Sequence, residues 1–201
     1  MEDMNEHESQ QPSDEELIGR FLKNDTAAFT ILYERYRRQI YAHINRLLPG
    51  QPDKADDIFQ QSWIKALGTL STYQHNDRFL PWLLKIAHNQ AIDLFRRSKD
   101  DYQEIPLDDS ADVVDSQGSD PRHELDRKEL AVLLDAALAI LPPEQREVFL
   151  LRQDDVSFRE IAEIQNCSIN TVLGRMQYAL RNLQGFLKAK RERIAIYEKG
   201  K

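Results

Sequence analysis

One cysteine in 201 residues rules out a disulfide within the chain and fits a reducing compartment. Seven glycines and eight prolines are few. Valine is scarce and no stretch alternates with period two for long, which weighs against a sheet and leaves helix dominant. No apolar run approaches the roughly 20 residues that a membrane span requires. No apolar segment follows the N-terminus as a signal peptide would. A cytoplasmic protein without membrane insertion is therefore expected. The residues of catalysis are also thin. His7, His43, His75, His88 and His123 are scattered, and no His/Cys spacing resembles a metal site. There is no Gly-rich phosphate loop and no nucleophile motif. Asp56-Asp57 and Asp100-Asp101 read better as a helix start and a charged linker than as ligands. No enzyme, metal or cofactor is expected.

Positive charge is short as well, with 27 Lys and Arg against 34 Asp and Glu for a net −7. That deficit argues against nucleic acid until it is located. Residues 1–20 hold seven acids and one base, and residues 100–130 hold eleven acids and three bases. The remaining stretches are both positive, and from Ser168 onward eight bases face two acids. Acid is concentrated in a tail and a linker, and the parts expected to fold are basic, which restores nucleic acid as a partner.

The stretch from Ser157 to Val172 organises the chain. Ser157 and Glu160 form a reciprocal capping-box pattern, and Ile161, Ala162 and Ile164 give the helix behind it an apolar face. Asn166 sits where a turn needs a residue tolerant of the left-handed conformation, with Cys167 a small packing residue beside it. Ser168 then caps a second helix with apolar Ile169, Val172, Met176, Leu180 and Leu183. Its outward positions are Asn170, Thr171, Gly174, Arg175, Gln177 and Tyr178, suited to base edges and phosphates. A helical hairpin in some bundle is the plain alternative. Two caps, a short turn and a polar outward face favour a helix-turn-helix whose second helix enters a DNA major groove.

Residues 1–12 are polar and acidic, and disorder is expected there. Ser13 to Glu16 repeats the capping-box pattern. A longer helix follows Asn24-Asp25 and stops at Pro49-Gly50-Gln51-Pro52. Asp53 or Asp56 starts the next, through Ile58, Phe59, Trp63, Ile64, Leu67 and Leu70. A polar loop leads to Phe79-Leu80-Pro81-Trp82 and a helix with Leu83, Ile86, Ala87, Ala91 and Leu94 inward. Residues 100–119 read as a self-repelling acidic linker. A helix from Pro121 toward Leu141, a break at Pro142-Pro143 and a helix to about Arg152 precede the helix-turn-helix. Lys188 to Arg193 is either frayed helix or tail. The expected fold is all-α, with two small helical domains at 13–99 and 120–190 on a flexible acidic linker and a basic tail at 191–201.

Asp57 to Ala66 and Trp82 to Arg97 resemble the first domain of bacterial sigma-70-family initiation factors. Leu141 to Arg152 with the helix-turn-helix resembles their last domain, and having only these two is similar to the extracytoplasmic-function (ECF) group. The resemblance implies that the chain binds core RNA polymerase, directs it to promoter DNA and helps open it. Asp57, Gln60, Gln61 and Lys65 match the surface that grips the polymerase β′ clamp helices. The Trp82–Arg97 helix matches the reader of the minus-10 non-template strand. There Asn89 matches the position that contacts a base, Tyr73 and Phe79 would supply stacking surface, Arg96, Arg97 and Lys99 would hold phosphates, and Lys85 belongs to the same minus-10 set. Trp82 reads better as core, and Tyr73 equally well as a cover for the bundle end. Ser168, Asn170, Thr171, Gly174, Arg175, Gln177 and Tyr178 fall on the minus-35-reading face, where a surface salt bridge is the ordinary alternative for Arg175. Basic or hydroxyl residues are usual around Leu173, Gly174, Tyr178 and Leu180, so this chain departs from the pattern there. The linker matches a segment that enters the polymerase cleft, or is a spacer. An anti-sigma protein clamping both domains is what the family often implies, though no residue demands one. A stand-alone helix-turn-helix regulator is the other reading; it predicts tight duplex binding without polymerase, usually as a dimer.

Overall fold

A computed structural model of the chain describes residues 11–74, 78–98 and 121–199, with side chains at 11–74, 78–94 and 130–192. The first ten residues of the expected tail, the acidic linker, Lys99 and the side chains of Arg96 and Arg97 lie outside the described residues. Among the described residues every regular element is helical. They are α1 (Asp14–Phe21), α2 (Thr26–Leu47), α3 (Pro52–Thr69), a 3-10 turn (Leu70–Thr72), α4 (Phe79–Ser98), α5 (Pro121–Ala139), α6 (Pro143–Gln153), α7 (Phe158–Ile164) and α8 (Ile169–Lys199). None of these helices is long and apolar enough to cross a membrane.

Local chemistry sets the ends of most helices. Ser13 N donates to Glu16 Oε2 at 2.8 Å, and Glu16 N donates to Ser13 Oγ at 3.2 Å, so the expected box closes on α1. Asn24 reverses the chain at φ 71, and Asp25 caps α2 by accepting from Ala28 N at 3.3 Å. Gly50 takes φ 72 as the chain leaves α2, a conformation that a side chain opposes. The next helix begins at Pro52, not at Asp53 or Asp56. Proline has no N–H to leave unsatisfied in a first turn, and its fixed φ suits that position. Lys188 to Arg193 is helical, as part of α8.

The first half buries Leu32, Ile40, Ile44 and Leu47 of α2 against Ile58, Trp63 and Ala66 of α3 and Leu83, Leu84, Ala87 and Ala91 of α4. Aromatic edges tie α2 to α3, with Tyr33 and Trp63 centroids 4.9 Å apart and Phe29 and Trp63 5.9 Å apart. Each such pair adds about 0.5–1.5 kcal/mol beyond area burial. The second half gathers Leu138, Leu141, Val148, Leu151, Val156, Ile161, Val172 and Ala179.

The two halves lie against each other, α6 on α2 and α7 on α4. Their buried apolar residues form one cluster, and several polar pairs cross the seam. His43 Nδ1 meets Asp154 Oδ2 at 2.8 Å, Gln39 donates to Asp154 Oδ1 at 2.9 Å, and His88 Nδ1 meets Glu147 Oε1 at 2.6 Å. Arg146 is 7% exposed and donates to the carbonyls of Leu47, Leu138, Ala139 and Leu141 at 2.8–3.0 Å. The Leu47, Leu138 and Ala139 carbonyls belong to the C-terminal ends of α2 and α5, where unsatisfied acceptors and the negative dipole end both favour a cation, and Leu141 lies in the corner just beyond α5. One guanidinium therefore ties the end of α2 to the α5–α6 corner.

Candidate nucleic-acid interface

The helix-turn-helix forms as its caps dictate. Ser157 N donates to Glu160 Oε2 at 2.7 Å and Glu160 N donates to Ser157 Oγ at 3.2 Å. Ile161, Ala162 and Ile164 are buried. Asn166 adopts φ 47, and Cys167 N closes the turn on the Ala162 carbonyl at 3.0 Å. Ser168 Oγ accepts from Thr171 N at 3.1 Å and opens α8. The buried side of α8 is a seam of Val172, Ala179 and Leu183. Ile169 and Leu180, expected on that side, are exposed instead.

Asn170, Thr171, Gln177 and Tyr178 are exposed beside Ser168. Gly174 has no atom within 4 Å of where a Cβ would stand, so packing inside the chain does not require glycine there. Arg175 departs from its expected outward role, because it is only half-exposed and reaches back toward the turn. Its Nη1 donates to Gln165 Oε1 at 2.7 Å and lies 3.6 Å from Cys167 Sγ. Gln165 donates in turn to Glu147 Oε2 at 2.7 Å. Burial pushes the Glu147 carboxyl up, but hydrogen bonds from His88 and Gln165 and the nearby His88 and His43 charges outweigh it and hold its pKa below the usual range. A connected chain of polar groups thus runs from His88 on α4 to Arg175 on α8. Arg181 lies 5.4 Å over the Tyr178 ring, a cation that period and spacing did not single out.

In the first half, Lys85 and Asn89 stand exposed on α4. Tyr73 is half-buried, edge-on to Phe79 at 5.9 Å and to Trp82 at 5.1 Å. Phe79 is 1% exposed and packs on Tyr36 at 5.2 Å. It is a core residue closing the end of the α2–α4 layer and offers no face to a base, which corrects its assignment as stacking surface. On α3, Asp57, Gln60, Gln61 and Lys65 are all exposed on one side. Ile64, one of the apolar residues along this helix, is 60% exposed among them, so that surface has an apolar centre with a polar rim. Arg78, not among the expected contacts, is exposed just before α4 and bonded across the seam to Glu160.

Comparisons with known proteins follow the same division. The family model "Sigma-70 region 2" matches residues 32–100, and "Sigma-70, region 4" matches residues 131–183. The ECF RNA polymerase sigma-E factor of Salmonella typhimurium is 30% identical over 179 residues, covering 84% of this chain and 91% of the relative. The ECF RNA polymerase sigma factor SigW of Bacillus subtilis is 31% identical over 171 residues, covering 79% of this chain and 88% of the relative. Among solved structures, the sigma factor RpoE of Bartonella quintana, crystallised with the anti-sigma factor NepR, superposes with a TM-score of 0.64 at 24% identity, over 80% of this chain and 96% of that one. CnrH in complex with the cytosolic domain of CnrY gives 0.60 at 23%, over 86% and 96%. These structures share the fold.

Proposed function

Because the chain belongs to the extracytoplasmic-function group of the sigma-70 family and is an RNA polymerase sigma factor, we propose a division of labour among its exposed helix faces. The α3 face of Asp57, Gln60, Gln61 and Lys65, with Ile64 at its centre, docks on the β′ clamp helices of core polymerase. An apolar centre inside a polar rim is the usual build of a protein interface. Lys85 and Asn89 of α4 hold the minus-10 non-template strand, with Arg96 and Arg97 on its phosphates and Tyr73 at its edge. Asn170, Thr171, Gln177 and Tyr178 of α8, with Ser168 at its cap, read the minus-35 duplex. Gly174 gives the backbone a close approach there, and Arg175 joins once the closed seam releases it.

The observation that carries this reading is the sidedness of α4 and α8. Each buries one face in the core and exposes amides on the other, Asn89 on α4 and Asn170 and Gln177 on α8. The chain has no chemical step of its own and works in the cytoplasm with polymerase. An anti-sigma protein is a further proposed partner. The test is reconstitution with core polymerase on a set of single-base minus-10 variants of one responsive promoter. Asn89→Ala should flatten discrimination at one minus-10 position and leave minus-35 discrimination intact. An unchanged preference at every minus-10 position would overturn the role of α4.

A further inference from the structure

Immediately before α4, Arg78 turns toward the other half of the molecule. Its Nη2 donates to Glu160 Oε2 at 2.9 Å and to the Asp155 carbonyl at 2.8 Å, and its Nε donates to Glu160 Oε1 at 3.3 Å. Two N–H groups meeting two carboxylate oxygens is also how arginine meets a phosphate. Arg78 stands at the N-terminal end of the helix that carries Lys85 and Asn89, all three side chains being exposed. Its side chain remains 57% exposed, so the pair is screened by solvent and a stronger anion can displace Glu160.

We propose that Arg78 is a further DNA-backbone contact of the α4 surface, and that Glu160 takes the place of a phosphate on it whenever the two halves are closed. The inference rests on the reading of α4 as the strand-binding helix. Glu160 suits the part because the Ser157 N–H holds its carboxylate in place as a cap of α7. Burial pushes its carboxyl up, but the bonds from Arg78 and Ser157 outweigh that and keep its pKa below the usual range, so it is ionised at neutral pH. Closure and DNA binding then compete for one guanidinium. The free protein restrains its own affinity for single strands, and separation of the halves restores it.

The test is an anisotropy titration of the full chain against a short fluorescein-labelled single strand of random sequence, repeated across a salt series. Glu160→Gln keeps the reciprocal cap, which glutamine also serves, and removes the charge. It should bind about two- to fivefold more tightly at low salt. The slope of log affinity against log salt should steepen by about 0.7, the share of one phosphate contact on a single strand. Glu160→Ala, which keeps the Ser157 half of the cap, should give the same increment. In an Arg78→Ala background the increment should vanish. Unchanged affinity in both Glu160 variants, or an increment that survives Arg78→Ala, would overturn the proposal. Lys85→Ala separates it from the reading beneath it. If Lys85→Ala weakens binding while the Glu160 variants do nothing, α4 still binds the strand and the gating is wrong. If Lys85→Ala does nothing, the α4 surface itself is in error.

Discussion

Arg146→Met keeps much of the side-chain stem and removes the guanidinium that four carbonyls share. Leu47 accepts from it at 2.9 Å, Leu138 at 2.8 Å, Ala139 at 3.0 Å and Leu141 at 2.9 Å. A buried acceptor left without a donor costs about 1–3 kcal/mol. The four losses do not add in full, because the Ala139 bond is only part-buried and water can reach it. A net loss of about 3–5 kcal/mol is expected, the sum over two or three buried acceptors that lose their donor. At a urea slope of about 2 kcal/mol per molar, the unfolding midpoint falls by about 1.5–2.5 M. Far-UV circular dichroism and tryptophan fluorescence should report the shift together. Trp63 and Trp82 lie in the first half, and the Leu47 carbonyl carries the effect across to them. Arg146→Lys should lose less, since an ammonium offers three donors to four acceptors. A midpoint for Arg146→Met within about 0.3 M of wild type would refute the reasoning.

Three further substitutions probe other parts of the fold. Phe79→Ala should cost about 3–5 kcal/mol in thermal or urea unfolding; unchanged stability with weakened DNA binding would return Phe79 to a stacking role. Gly174→Ala should stabilise the chain by about 1 kcal/mol and raise Tm by about 2–4 °C, since nothing crowds the new methyl group. A lower Tm would mean that unseen packing needs the glycine. The depressed Glu147 pKa gives stability that is present above its ordinary value of 4.5 and is lost as pH falls through the folded value. Urea midpoints measured downward from pH 4.5 should therefore decline less steeply in Glu147→Gln than in wild type, and parallel declines would contradict the ionised buried carboxylate.

What could be read from the sequence was local. The Ser13 and Ser157 boxes, the Asp25 and Ser168 caps and the left-handed Asn166 each follow from residues within four positions of one another. Where two local signals competed, as at Pro52 against Asp53 and Asp56, proline's missing donor decided the start. Periodicity named an apolar stripe on α8 but not which part of it meets α6 and α7. Val172, Ala179 and Leu183 are buried, and Ile169 and Leu180 stay outside. Phe79 looked like a loop aromatic because its partner, Tyr36, is on another helix. The polar seam was out of reach altogether. His43 and Asp154 are 111 residues apart, His88 and Glu147 are 59 apart, and Arg78 and Glu160 are 82 apart. No window of sequence contains both members of any pair. Arg175 was chosen for its place on a helix face, and what draws it back is Gln165, held in turn by that same seam.

The most direct test of the account is transcription in vitro with purified core polymerase on a library of genomic fragments, with and without this chain. The account predicts new transcripts from discrete start sites that appear only when the chain is added, and that disappear when Gln60, Gln61 and Ile64 of the α3 face are replaced together by alanine. Tight duplex binding by the chain alone, with no new start sites in the presence of polymerase, would contradict it.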